Sequence, residues 1–204
     1  MPGNYTVSLV AAGKTIESKP MKIVMDPQVQ LADAQRRRYN DILMDLHSIQ
    51  QRGTTMQTSL DHLYSELQQV APKVRDGANV PAATKTEFDA FMKEFDALRV
   101  KFGVPTTPDS LAPGGRGGGG RGGRGGRGCP ANTEDVLARA GTVKNAIGAI
   151  WEMPSDAMVK QYNEVKADLT KAIADAGAFM TKATAMSKTL LKYDITLMVP
   201  MSAR

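Results

Sequence analysis

The 204-residue sequence has little of what catalytic and secreted frameworks are usually built from. It holds one cysteine, Cys129, which excludes an internal disulfide framework and any multi-cysteine zinc site. Its two histidines, His47 and His62, fall fifteen positions apart in one predicted helix, too far along the axis to share a metal, and no HExxH occurs. Aromatic residues make up only 5%, so a core has to be built mainly from aliphatic side chains, alanine and the 12 methionines. No apolar run reaches the roughly 18 residues that a membrane span requires. The opening Met1-Pro2-Gly3-Asn4-Tyr5 has no basic segment followed by an apolar stretch, so no signal peptide is read there.

What is present is a globular composition, 42% hydrophobic and 23% charged. The net charge of +5 points at first to a nucleic-acid or membrane partner. Four of the 26 Lys and Arg residues, however, sit in one glycine tract, Gly114 to Gly128, as Arg116, Arg121, Arg124 and Arg127. Outside it cations and acids nearly balance, so the basicity belongs to a tract and not to a folded surface.

Along the chain, residues 1–26 alternate with period two. Tyr5, Val7 and Leu9 interleave with Thr6 and Ser8, and Met21, Ile23 and Met25 with Lys22 and Val24, on either side of the turn Ala12-Gly13-Lys14. This predicts a β-hairpin whose apolar face needs further sheet or a helix to cover it. Asp26-Pro27 reads as a helix start, an N-cap acid followed by proline. The line Tyr39, Ile42, Leu46, Ile49, Gly53, Met56, Leu60, Leu63, Leu67, Val70 then repeats at spacings of three and four, a heptad stripe ended by Ala71-Pro72. Such a helix is about 66 Å long and has to pack on partners, with Gly53-Thr54-Thr55 as the place for a kink or fray.

Thr84-Lys85-Thr86-Glu87 is a capping box opening a second helix, with Phe88, Phe91, Phe95, Leu98 and Phe102 on one stripe. Residues 105–131 read as a disordered Pro/Gly/Arg-rich linker. Thr133-Glu134-Asp135 opens a third helix with Val136, Ala140, Val143, Ile147 and Ile150 inward. After Met153-Pro154-Ser155-Asp156 a fourth carries Met158, Tyr162, Val165, Leu169, Ala172, Ala176, Phe179, Ala183, Met186, Leu190 and Tyr193, where small alanines let a partner approach closely. The tail, residues 195–204, reads as extended. The expected fold is mainly α: an antiparallel, coiled-coil-like four-helix bundle, two helices long and two short, behind a β-hairpin. The segments are 1–26 hairpin, 27–104 helices one and two, 105–131 linker, 132–194 helices three and four, and 195–204 tail.

A search for chemistry yields no catalytic, cofactor or metal residues. Asp41, Asp45, Glu66, Asp89, Glu94 and Asp96 are spaced as solvated helix faces and not as a carboxylate pair. Arg36-Arg37-Arg38 spreads around a helix instead of forming one patch. Cys129 has no base near it in sequence. The RGG repeat is the sharpest compositional signal: Arg116, Arg121, Arg124 and Arg127 are flexible cations able to neutralise phosphates and stack on bases. Against nucleic-acid contact, the tract has no interleaved aromatic residue and joins two helices of a bundle, so it also reads as a plain linker.

The order of parts resembles the C-terminal end of large bacterial exported proteins of the sortilin-like, BNR-repeat type described as glycosyl hydrolases. In these a β-propeller is followed by an immunoglobulin-like domain and a helical region. The resemblance is carried by Pro2-Gly3-Asn4-Tyr5-Thr6-Val7 with Gly13-Lys14, by Lys22-Ile23-Val24-Met25-Asp26-Pro27, by Lys144-Asn145-Ala146-Ile147-Gly148-Ala149-Ile150-Trp151 running into Pro154-Ser155-Asp156-Ala157, and by Tyr193-Asp194-Ile195-Thr196-Leu197-Met198-Val199-Pro200. No Asp-box of the propeller occurs, so no residue of a parent's hydrolase site transfers to this chain. The resemblance implies the remnant of an immunoglobulin-like sandwich followed by a helical module, a fragment without its propeller, from an exported parent. The expectation is a non-catalytic structural and interaction module without a cofactor. Its partners would be the parent's propeller and immunoglobulin-like domains, or further copies through heptad helices. The alternative is an RGG-tract nucleic-acid-binding protein.

Overall fold

The computed structural model describes residues 2–29, 31–103, 134–150 and 152–200. Two antiparallel strands, β1 (Gly3–Ala11) and β2 (Lys14–Ile23), precede four helices: α1 (Asp33–Asp76), α2 (Ala82–Val100), α3 (Val136–Gly148) and α4 (Asp156–Leu191). The protein is thus mainly helical, with two long and two short helices behind a hairpin. The 105–131 linker and the tract arginines lie outside the described residues, as do Trp151 and the last four residues.

The hairpin turns at Ala12 and Gly13, both at positive φ (49° and 75°), the backbone that a two-residue hairpin loop requires. Gly13 adopts it without cost. The pairing runs from Gly3 opposite Ile23 to Leu9 opposite Glu17, then shifts so that Val10 faces Thr15, which leaves Ile16 as an extra residue in β2.

Helix α1 is 44 residues long but begins and ends six residues later than the sequence implies. Asp26 does cap a turn: its carboxylate accepts from Gln28 N–H at 2.9 Å and its carbonyl from Val29 N–H at 3.0 Å. That turn does not propagate, because residues 27–32 carry no stripe to bury and a lone helical turn cannot sustain itself. The helix starts instead where the Gln35 side chain accepts from Ala32 N–H at 2.9 Å, a few residues before the stripe opens. At the other end Pro72 does not stop it. Val70, Ala71 and Val74 are buried, and this packing offsets the loss of one backbone hydrogen bond on the exposed side. Every stripe position from Ile42 to Val70 is buried.

Helix α2 starts at Ala82, ahead of the expected capping box, and Thr84 is buried with its hydroxyl 3.5 Å from that of Tyr193. Its phenylalanines fill the core as expected. Phe91 and Phe95 stack on Phe179 of α4 with ring centroids 4.6 and 5.3 Å apart. Phe88 and Phe95 are fully buried, each contributing about 2 kcal/mol. Asp135 caps α3, accepting from Ala138 N–H at 2.8 Å, and Ser155 caps α4.

Contacts decide the helix order that the sequence leaves open. Helices α1 and α4 run parallel: Asp45 meets Tyr162 and Lys166, and Gly53 meets Leu169 further along. Both short helices run antiparallel to them. Lys101 and Glu94 of the α2 segment pair with Asp175 and Lys182, and Arg139 of α3 pairs with Asp168. Helices α2 and α3 do not pack side by side; they follow each other along one column, joined where Val136 N–H donates to the Lys101 carbonyl at 3.0 Å. The tail returns over the end of α4, burying Ile195 and Leu197, with Ser187 Oγ donating to the Leu197 carbonyl at 2.7 Å.

Candidate interaction surface

The residues with most chemical potential are placed in structural roles. His47 is exposed on α1, its Nδ1 3.1 Å from Lys144 Nζ, and His62 lies four turns on, also exposed. Asp89 pairs with Arg75 at 3.2 Å and Glu94 with Lys182. Arg36 donates to the Leu31 carbonyl and pairs with Asp33, while Arg37 and Arg38 are exposed. Among the described residues no group of three or more His, Cys, Asp or Glu side chains is placed to hold a metal ion.

Three polar clusters escape sequence reading, because each joins residues far apart in the chain. Tyr39 donates to the Ile147 and Ile150 carbonyls at 2.8 and 3.1 Å, tying the start of α1 to the end of α3. Asp45 accepts from Tyr162 at 2.7 Å and from Lys166 at 3.0 Å. Partial burial works against the Asp45 carboxylate, but these two donors outweigh it and hold its pKa below the ordinary value. Arg99, only 7% exposed, lays its guanidinium 3.6 Å from the Tyr64 ring centroid. Asp96 lies 3.8 Å away, beyond hydrogen-bond reach. Burial pushes the carboxyls of Asp61 and Asp96 up, with the Arg99 charge pulling the other way. None of the three opens into a cleft holding a nucleophile beside a base.

Among the described residues, the surface that no helix covers is that of the hairpin. Tyr5, Val7, Leu9, Met21 and Ile23 share one face by the pairing register, and all are exposed, from 41 to 60%. Among the described residues β1 and β2 pack on each other and on no helix. At the base of the hairpin a 360 Å³ cavity opens between Met25, Val29, Leu31, Tyr39 and Ile150. The bundle, in contrast, closes its own stripes: the heptad positions of α1 and α4 that could have zipped to other chains are spent within this one.

The architecture thus defines a helical bundle carrying an exposed β-hairpin, and no helix among the described residues is long and apolar enough to cross a membrane. Compared with known proteins, the chain matches no family model, no curated protein and no solved structure.

Proposed function

We propose that this chain is a non-catalytic structural and interaction module, acting through contact and not through chemistry. The observation that carries this reading is the contrast between its two parts. The bundle buries its apolar stripes and uses its polar clusters as internal ties, while the hairpin strands keep seven large apolar side chains exposed, five of them on one face beside Glu17 and Lys19. Exposed apolar faces of this kind mark association sites. The resemblance to the helical end of propeller-bearing exported proteins supports the same reading, since there the hairpin and bundle accompany a β-rich body.

The test has two readouts on the purified chain. No release of product is expected from a panel of aryl glycosides, and an environment-sensitive apolar dye is expected to bind. Replacing Val7 and Leu9 by serine is expected to abolish most dye binding while leaving the helical circular dichroism unchanged. Glycoside hydrolysis by the pure chain, or dye binding indifferent to these replacements, overturns the proposal.

A further inference from the structure

The two edges of the hairpin are unlike. Strand β2 carries Lys14, Glu17, Lys19 and Lys22, a bulge at Ile16, and Pro20, which has no N–H to offer. Charges, bulges and proline are the devices that keep an edge strand from pairing. Strand β1 has none of them: its nine residues, Gly3–Ala11, include no charged side chain, no proline and no bulge. Among the described residues no further strand pairs with either edge, and of the two only that of β1 lacks these devices.

The outward groups of β1 can be assigned. Pro20 lies opposite Thr6, and a pair with no donor on one side can sit in the ladder only as a non-hydrogen-bonded pair. Thr6 therefore turns its N–H and C=O outward, and by period two so do Asn4, Ser8 and Val10. The Ser8 and Ser18 hydroxyls, 2.7 Å apart, fit the closer side-chain approach of such pairs.

From this edge we infer that β1 is a homotypic pairing strand, and that a second copy of the chain is its occupant. This inference rests on the reading of the chain as an interaction module. Turned antiparallel about Val7, β1 matches itself over all nine residues. Thr6 meets Ser8 and Asn4 meets Val10, so outward groups face outward groups, while Val7 meets Val7 and Tyr5 meets Leu9 on the apolar face. The same symmetry makes the contact isologous and self-limiting. The product is a four-stranded sheet ordered β2-β1-β1-β2, past the size at which a sheet with an apolar face becomes stable in water. In this order the charged strands lie outermost, with Lys14, Glu17, Lys19 and Lys22 of each β2 held away from the dimer axis, and the two copies meet along strands that carry no charge.

The experiment is sedimentation equilibrium on the full chain. A monomer–dimer equilibrium is expected. Thr6→Pro removes an outward N–H at no cost to the hairpin's own ladder, and Val7→Glu, which faces Lys19 within its own hairpin, sets like charges opposite each other only across the dimer axis. Each is expected to weaken dimerisation by roughly tenfold or more. Ser18→Pro, on the outward side of β2, is expected to leave it unchanged. A second measurement is independent of any loss of folding. In a Cys129→Ser background, Val7→Cys is expected to form a covalent dimer on oxidation, since facing Cα atoms in a non-hydrogen-bonded pair lie about 4.5 Å apart. Ser18→Cys is expected not to. A chain that stays monomeric at high concentration, a dimer indifferent to Thr6→Pro, or equal cross-linking at both positions overturns the inference. None of these outcomes produces hydrolysis or abolishes dye binding, so the module reading is tested apart from it.

Discussion

The Lys101 carbonyl oxygen and the Val136 amide, 35 positions apart in sequence, form a 3.0 Å hydrogen bond that links the end of α2 to the start of α3. Around it, Gln57 of α1 donates to the Phe102 carbonyl at 2.8 Å. Gly103 at φ 93° stands so close to Asp135 that a β-carbon there would lie 2.7 Å from its carboxylate. The chain leaves the bundle and re-enters it at one point.

Residues 104–133 therefore join two ends that the described residues already hold together. Replacing them with a linker of about four residues is expected to leave the helical content of the bundle intact. The loop to be closed shortens by about three doublings, so stability is expected to rise by roughly 2 kcal/mol. Urea denaturation followed by circular dichroism measures both. Loss of the cooperative transition would show that the removed segment contributes to the core.

Two glycines in long helices should respond in opposite directions to alanine. At Gly53 a β-carbon would lie 2.8 Å from Leu137 and 3.2 Å from Leu169, so the helix gain is outweighed by repacking of two leucines. A net loss of about 1 kcal/mol is expected. At Gly177 nothing lies within 4 Å, and Gly177→Ala is expected to stabilise by about 0.5–1 kcal/mol. Thermal melts of the pair decide it, and a stabilising Gly53→Ala would contradict the close helix approach described here.

The Asp45 cluster predicts a pH-dependent mutant. Its carboxyl is held below the ordinary value by Tyr162 and Lys166, against partial burial. A lowered pKa means stability that is present above the ordinary carboxylate range and lost as pH falls through the folded-state value. Asp45→Asn is expected to cost about 0.5–1 kcal/mol at neutral pH, a small figure because the pair is well solvated. The gap from wild type should close in acid. Chemical denaturation at neutral and acidic pH tests this, and a gap that widens in acid would reverse the assignment.

Asp194 stands at φ 57°, the left-handed position that ends α4, where Ile195 N–H bonds back to the Leu190 carbonyl at 3.2 Å. Glycine takes that backbone without strain. Asp194→Gly is expected to raise stability by roughly 0.5–1 kcal/mol, and Asp194→Val to lower it by more. The two melting temperatures should move apart in that order.

Most of the secondary structure was legible in the sequence because burial follows period. The stripes from Ile42 to Val70 and from Phe88 to Phe102 name the buried faces of α1 and α2 nearly residue by residue. The ends of α1 were not legible. Asp26-Pro27 and Ala71-Pro72 are local signals, and packing beyond each of them decided where the helix ran. At Gly53, where the sequence suggests a kink or fray, the helix runs on, and the close approach of Leu137 and Leu169 to it is visible only in the tertiary structure.

By itself, then, the sequence determined the element types, the stripes and the uncharged β1 strand, since periodicity, turn chemistry and charge are properties of neighbours in the chain. Tertiary structure alone decided that α1 and α4 run parallel and that α2 and α3 share one column. It also decided that the Asp45–Tyr162–Lys166 and Arg99–Tyr64 groups meet and that, among the described residues, no helix covers the hairpin. Those outcomes depend on which buried faces fit together across long separations, and a one-dimensional pattern of apolar positions does not rank one such fit above another.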